Sequence, residues 1–150
     1  MFKTQIEAIL SLDYHSKTYF QRCSAIDRLP QKQKARSFAY VINYDKHDKD
    51  GSHWIAVLSD QAGNVEFFDS SGQPSLDVRC KKFVGPNYSF STVKLQQMFS
   101  NACGFHCIYY ILHRSRNRSA NDILHVLSSG KNSDFIVKDY IYSRYKPIFT

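Results

Sequence analysis

A thiol, an imidazole and a carboxylate stand in this chain where acyl transfer would place them. Cys103 opens a stretch whose pattern turns helical, running through Ile108, Tyr109 and Leu112 to Arg114 and Arg116, basic residues that suit a helix C-terminus. A thiol is mostly protonated at neutral pH, and the positive end of a helix and a neighbouring imidazolium are two influences that lower its pKa. Gly104 follows directly, and a residue without Cβ would let a substrate backbone come close to the sulfur. Cys107, one turn further on, reads instead as a small buried hydrophobe.

His53 lies next to Trp54 and 16 residues before Asp69. Residues 53–59 and 65–69 are each dense in strand-forming side chains, and residues 60–64 form a turn between them, so the pair reads as a hairpin. The two outer ends of a hairpin lie side by side, which brings His53 and Asp69 together. A lone histidine is more often a core or surface residue, and a lone aspartate here would cap the turn at residues 70–72. Together they fit a base and its orienter, with the carboxylate fixing one ring nitrogen and the other facing a thiol. An oxyanion formed by attack on a carbonyl needs donors: the Cys103 amide is one, and Gln96 or Gln97 supplies a side-chain amide just upstream.

The elements that must position these groups follow from the remaining pattern. Phe2, Ile6, Ile9 and Leu10 recur at helical spacing, with Thr4 and Glu7 as a capping box. Residues 31–36 are a basic polar loop, residues 37–44 a strand, and residues 45–52 a charged turn around Gly51. The stretch to Pro86 is irregular and basic, residues 88–95 alternate like a strand, Ser119 with Asp122 caps a helix over residues 123–127, and residues 135–142 give a last helix after Gly130. No internal repeat or low-complexity segment is visible.

With 150 residues, 43% apolar and 22% charged, the chain reads as one compact domain over residues 1–150. Residues 1–17 lack the continuous apolar run of a secretory signal, and the longest strongly apolar stretch, residues 107–112, falls far short of the roughly 20 residues that cross a bilayer. The expectation is a soluble protein that is not secreted and has no membrane partner. Cys23, Cys80, Cys103 and Cys107 are irregularly spaced and read as thiols in a reducing compartment. A net charge of +7 favours polyanions such as nucleic acid, and is equally compatible with a basic, merely solvated surface. A metal site drawn from Cys103, His106, Cys107 and His113 is set aside, because one helix does not readily wrap four ligands around an ion.

Four blocks of the sequence, in order, resemble the adenain-type cysteine proteases, the adenovirus maturation enzyme and its relatives in virophages and Polinton-like elements, in the clan that includes the SUMO-deconjugating proteases. They are residues 38–43 (FAYVIN), 51–57 (GSHWIAV), 67–72 (FFDSSG) and 95–110 (LQQMFSNACGFHCIYY), with a weaker match at residues 19–30 (YFQRCSAIDRLP). The resemblance implies an α+β fold: a twisted, mainly antiparallel central sheet packed against helices, with the nucleophile at the N-terminus of a central helix. It implies Cys103 as nucleophile, His53 as base and Asp69 as orienter, with Trp54 beside the histidine and, with Gly104, along the substrate path. Viral members place the oxyanion glutamine seven residues before the cysteine, which selects Gln96; the SUMO proteases place it six before, which selects Gln97.

The implied function is a viral-type endopeptidase that cuts precursor capsid and core proteins during virion maturation at small-residue, glycine-containing sites. It would work as a monomer in the virion and the host-cell interior, with no metal or organic cofactor. In the adenovirus enzyme DNA and a disulfide-linked activating peptide stimulate cleavage. The basic balance here fits DNA, whereas no cysteine stands on the strand before the glutamine block and Cys80 lies early for that part. Two other functions fit the same residues less fully: deconjugation of ubiquitin-like modifiers, and a non-catalytic basic virion protein that binds nucleic acid.

Overall fold

The computed structural model describes residues 1–30, 37–44, 53–60, 62–73, 77–97, 100–130 and 132–150. The elements run α1 (Lys3–Leu12), β1 (Phe20–Ala25), β2 (Phe38–Asn43), β3 (Trp54–Ser59), β4 (Val65–Phe68), α2 (Val78–Val84), β5 (Tyr88–Phe90), α3 (Cys103–Arg114), α4 (Ala120–Ser128) and α5 (Ser133–Arg144). The expected loops at residues 31–36 and 45–52 lie outside the described residues.

Every residue of β2 and β3 is buried, as strands are when a sheet is covered on both faces. Side chains alternate across such a strand, and the two faces feed two cores. Ala39, Val41, Trp54, Ala56, Leu58 and Phe68 point into the larger one, with α1, α3, α4 and α5. Phe38, Tyr40, Ile42, Ile55, Val57 and Phe67 point into the other, closed by Ile26 and by Cys80, Phe83 and Val84 of α2. Ala39 and Ala56 on the larger face carry no bulk, so helix backbone can lie close to the strands there.

The five strands stand in the order β1-β2-β3-β4-β5. The two central pairings, β2 with β3 and β3 with β4, are antiparallel, and the two outer ones, β1 with β2 and β4 with β5, are parallel. The architecture is therefore the expected α+β sheet against helices, with a mixed sheet. The β3–β4 hairpin is present, its turn closed by Gly63 N–H to Asp60 O (3.0 Å) and Asp60 N–H to Asn64 O (3.1 Å).

α3 is buried from Cys103 through His113 and carries apolar side chains all round, as an internal helix does. At its far end Arg114 pairs with Glu66 of β4 (Nη2 to Oε2, 2.5 Å; Nε to both oxygens), and Tyr110 Oη donates to the same carboxylate at 2.5 Å. Tyr110 also stacks on Phe68, ring centres 4.2 Å apart. These contacts register the helix on the sheet and so set where its other end, Cys103, must lie.

Several expectations are corrected. β1 went unanticipated. α2 occupies part of the stretch read as irregular: Asp77 caps it by accepting from the N–H groups of Arg79 (2.8 Å) and Cys80 (3.3 Å). The strand expected over residues 88–95 ends at Phe90, because residues 92–95 turn to run against Gly72 and Ser70. α1 is not capped by Thr4 and Glu7: the Gln5 side chain takes the Phe2 N–H (2.9 Å), and Glu7 instead accepts the Cys23 N–H of β1 (3.2 Å). Ser119 caps α4 as expected, accepting from Asp122 N–H at 3.1 Å. Among the described residues no helix is long and apolar enough to cross a membrane.

Gly72 ties the hairpin's end to the segment that approaches α3. Its φ is +75°, and a Cβ there would lie 2.7 Å from the Thr92 carbonyl oxygen and 3.0 Å from Lys94 N. Neither obstacle is a movable side-chain tip. Gly72→Ala should therefore lower stability by about 2 kcal/mol or more, combining positive-φ strain with a backbone clash. A urea unfolding curve with an unchanged midpoint would refute this account of the turn.

Candidate active site

Three elements deliver one side chain each. His53 immediately precedes β3, Asp69 immediately follows β4, and Cys103 is the first residue of α3. The hairpin pairs Ala56 with Phe68 at its outer end, and just beyond that pair His53 Nε2 reaches diagonally to donate to Asp69 Oδ1 at 2.9 Å. With Nε2 so engaged, Nδ1 is the ring nitrogen left to face the Cys103 sulfur, and the two groups shift one another's protonation. The sulfur also accepts the Trp54 backbone N–H at 3.5 Å and the Gly104 N–H.

Asp69 is 4% exposed, and its Oδ1 collects three donors: the His53 ring, the Ser71 N–H (2.9 Å) and the Ser71 hydroxyl (2.6 Å). Its carbonyl accepts from Gly72 N–H (2.9 Å), so the aspartate caps the turn and orients the histidine at once. Burial by itself pushes this carboxyl's pKa up, and the bonds from His53 and Ser71 outweigh it, holding the pKa below the usual range. Asp69 stays ionised.

For Cys103, burial also pushes the pKa up. The His53 ring, the Trp54 and Gly104 amides and the imidazolium charge together pull it below the ordinary thiol range. The pKa of His53 is raised to about 10, first by its hydrogen bond to Asp69 and then by that to Cys103, against the opposing effect of burial. The favoured state is thus a thiolate beside an imidazolium. The helix adds to this: α3 has no acidic residue in its first turn and no side-chain cap at Ala102, and its first hydrogen bond is His106 N–H to Ala102 O. The first amides of the turn are left without helical acceptors, a setting that suits an anion.

The glutamines separate clearly. Gln96 is half-buried: its Oε1 accepts the Ser70 hydroxyl (2.7 Å), its Nε2 donates to the Ser100 carbonyl (2.5 Å), and its own N–H bonds to Ser70 O (2.9 Å). Gln97 is exposed and contributes its backbone N–H to Asp134. Between the two, Gln96 is the one whose side chain is fixed on the path into α3.

Trp54 and Gly104 are adjacent. A Cβ on Gly104 would meet Met1 Sδ at 3.3 Å and Trp54 Cδ1 at 3.4 Å, so the space left by the missing side chain is filled. The glycine lets Met1 and the indole pack beside Cys103. Sequence reasoning also missed Ser70, Ser71, Ser100 and Asp134. The run Asp-Ser-Ser-Gly was a visible turn signal, since aspartate and serine side chains bond backbone two residues away; Asp134 had none, because its partners lie 28 and 37 residues off.

The other titratable groups of α3 are engaged elsewhere. His106 bonds Asp134, His113 takes Arg118 Nη1 at 3.1 Å, and Cys107 is fully buried with its pKa pushed well up by burial. None of the four cysteines is in a disulfide. Among the described residues no group of three or more histidine, cysteine, aspartate or glutamate side chains is arranged to hold a metal ion.

Neither a protein-family model nor a curated protein sequence matches the chain. Among solved structures, the crystal structure of the ASFV pS273R protease aligns with 91% of this chain and 64% of its own, with a TM-score of 0.58 and 19% identity. The selenomethionine crystal structure of the same protease aligns with 71% of this chain and 43% of its own, with a TM-score of 0.50 and 21% identity. The chain thus spans just under two thirds of the length of that neighbour. Identity this low shows a shared fold and nothing finer.

The electrostatics of the sulfur set a measurable pH dependence. Iodoacetamide should alkylate Cys103 in the folded protein with a midpoint below the ordinary thiol range, while Cys23 and Cys107, whose pKa values burial raises, stay unlabelled. His53→Ala removes the imidazolium, so the midpoint should move upward. A midpoint that does not move would show that the ring does not act on the sulfur.

Proposed function

We propose that this chain is a cysteine endopeptidase of viral type, which cuts precursor capsid and core proteins at small-residue, glycine-containing sites during particle maturation. The observation that carries the reading is the single imidazole that bonds a buried carboxylate at 2.9 Å and whose charge pulls down the pKa of a helix-tip thiol. The fold shared with the ASFV protease supports it.

In this reading the Cys103 thiolate attacks the scissile carbonyl, and the negative charge moves onto the carbonyl oxygen. The Cys103 N–H and the Gln96 amide receive it. One Gln96 N–H is used by Ser100, and an amide nitrogen carries two, so the second is free for the oxyanion. The protonated His53 then gives its proton to the departing amine, leaving a thioester. Water attacks that thioester with neutral His53 as base, and the thiolate is restored. Asp69 holds the ring and its charge throughout.

Preference for small residues is supported by the narrowness of the approach. Cys103 is 5% exposed, with Met1 and Trp54 packed beside Gly104, so a bulky side chain next to the scissile carbonyl would meet them. The chain acts as a single-domain monomer, without metal or organic cofactor, in the virion and infected-cell interior. DNA bound at the basic surface, or an activating peptide, would act as a stimulator.

The test is cleavage of a peptide panel and of candidate precursors, with ubiquitin-like fusions as a separate arm. Peptides with Gly at the cut should be hydrolysed, those with Leu there much less. Cys103→Ala should fold normally and cleave nothing; retained turnover would refute the nucleophile. Gln96→Ala should lower kcat by roughly 10²–10³-fold, as loss of one oxyanion donor does. Asp69→Asn should lower kcat on the order of 10²-fold or more with KM little changed. Cleavage confined to modifier fusions would assign the site to deconjugation. Binding of nucleic acid with no cleavage in any arm would leave a non-catalytic virion protein.

A further inference from the structure

Resting on the protease reading above, we infer that Asp134, backed by His106, is a positioning residue for the oxyanion donor: the first turn of α5 clamps the segment that carries Gln96 onto the helix that carries Cys103.

The described residues between β5 and α3 lie in neither helix nor strand from Ser91 onward, so no ladder fixes Gln96. Side chains do. Ser133, the first residue of α5, donates its hydroxyl to the Leu95 carbonyl. Asp134 Oδ2 accepts the Gln97 N–H at 3.3 Å, and the same carboxylate takes the Ser100 side chain. Lys138, one turn on, reaches Asn101 Oδ1 at 3.3 Å. The first two turns of α5 therefore hold residues on both sides of the Gln96 amide and the residue two before Cys103.

The other carboxylate oxygen ties this clamp to the nucleophile's helix. His106, three residues after Cys103 and fully buried, donates from Nε2 to Asp134 Oδ1 at 2.8 Å. A carboxylate only accepts, so Nε2 carries the proton. His106 Nδ1 is buried with no hydrogen-bond partner, which suits a bare lone pair and penalises a second proton. Burial lowers the pKa of this ring more than Asp134 raises it, in keeping with a neutral imidazole. This second His–Asp pair thus faces no thiol and moves no proton. An apolar pair would hold α5 against α3 equally well; only an acceptor can also hold the Gln97 N–H and Ser100.

The experiment combines peptide cleavage with iodoacetamide labelling of Cys103, using Asp134→Asn and Ser133→Ala, each alone and together with Gln96→Ala. For Asp134→Asn the expected result is a fall in kcat of about 10-fold or more with KM within about twofold, since the interaction it supports strengthens in the transition state. The labelling midpoint should stay where it is, because the His53–Cys103 pair is untouched. In the Gln96→Ala background the substitution should cost nothing further, the mark of two residues acting through one donor. An unchanged kcat, or an equal loss with and without Gln96, would overturn the clamp. Should Asp134→Asn fail to fold by thermal melting, Ser133→Ala takes its place, with a loss of about threefold in kcat that likewise vanishes with Gln96 gone; no loss there overturns the proposal. If the unmodified protein cleaves no peptide and labels no faster than its denatured form, the protease reading itself fails and the clamp with it. Cleavage that needs Cys103 and Asp69 but ignores Asp134 sinks the clamp alone.

Discussion

A sulfur that is almost wholly shut away from water does not hold a negative charge unaided, and the architecture of this protein can be read as the arrangement of donors around that charge. An isolated thiolate in such a place would take up a proton. Here an imidazolium, two backbone amides and the open end of a helix converge on it. The imidazolium in turn is tolerable only because Asp69 lies behind it. Each ion of the chain Asp69, His53, Cys103 is sustained by its neighbour, so the three are one electrostatic object rather than three residues with separate roles.

That object has exacting positional needs, and the fold meets them through registration at a distance. His53 and Asp69 come from neighbouring strands, where pairing fixes their separation. Cys103 comes from a helix crossing the same sheet, and its place depends on how far along the sheet α3 lies. The buried Glu66, gripped by Arg114 and Tyr110, settles that offset from the opposite end of the helix. Small side chains at Ala39 and Ala56 keep the intervening surface low. The oxyanion segment has no such lattice, and is held by the Ser70 hydroxyl on one side and by α5 on the other.

How much of this was legible in the sequence follows from the range of each interaction. The hairpin could be read because its two strands and its turn are local and strongly patterned, and with it came the meeting of His53 and Asp69. The helix beginning at Cys103 was visible in its apolar periodicity and its basic C-terminal end. β1 was hidden because half of its residues are exposed or polar and it is defined by pairing with β2 rather than by its own pattern. α2 was masked by the charged residues around it, although Asp77 was a usable start signal. The choice between Gln96 and Gln97 is a matter of one residue in a segment without regular structure, where the sequence carries no period to decide it. Asp134 acts across the fold and leaves no local trace at all.

The concentration of three hydrogen bonds on a single oxygen of Asp69 links the chemistry to the mechanics of a very short turn. The oxygen that steers the ring also holds Ser71, and the carbonyl of the same residue closes residues 69–72 through the Gly72 N–H, so the imidazole cannot be aimed unless that turn is made. Loosening of these few residues would swing the imidazole off line while the two cores stay packed. The influence of the ring on the Cys103 thiol would then be lost on warming before cooperative melting begins, and its decay would report the local order of four residues rather than the stability of the whole.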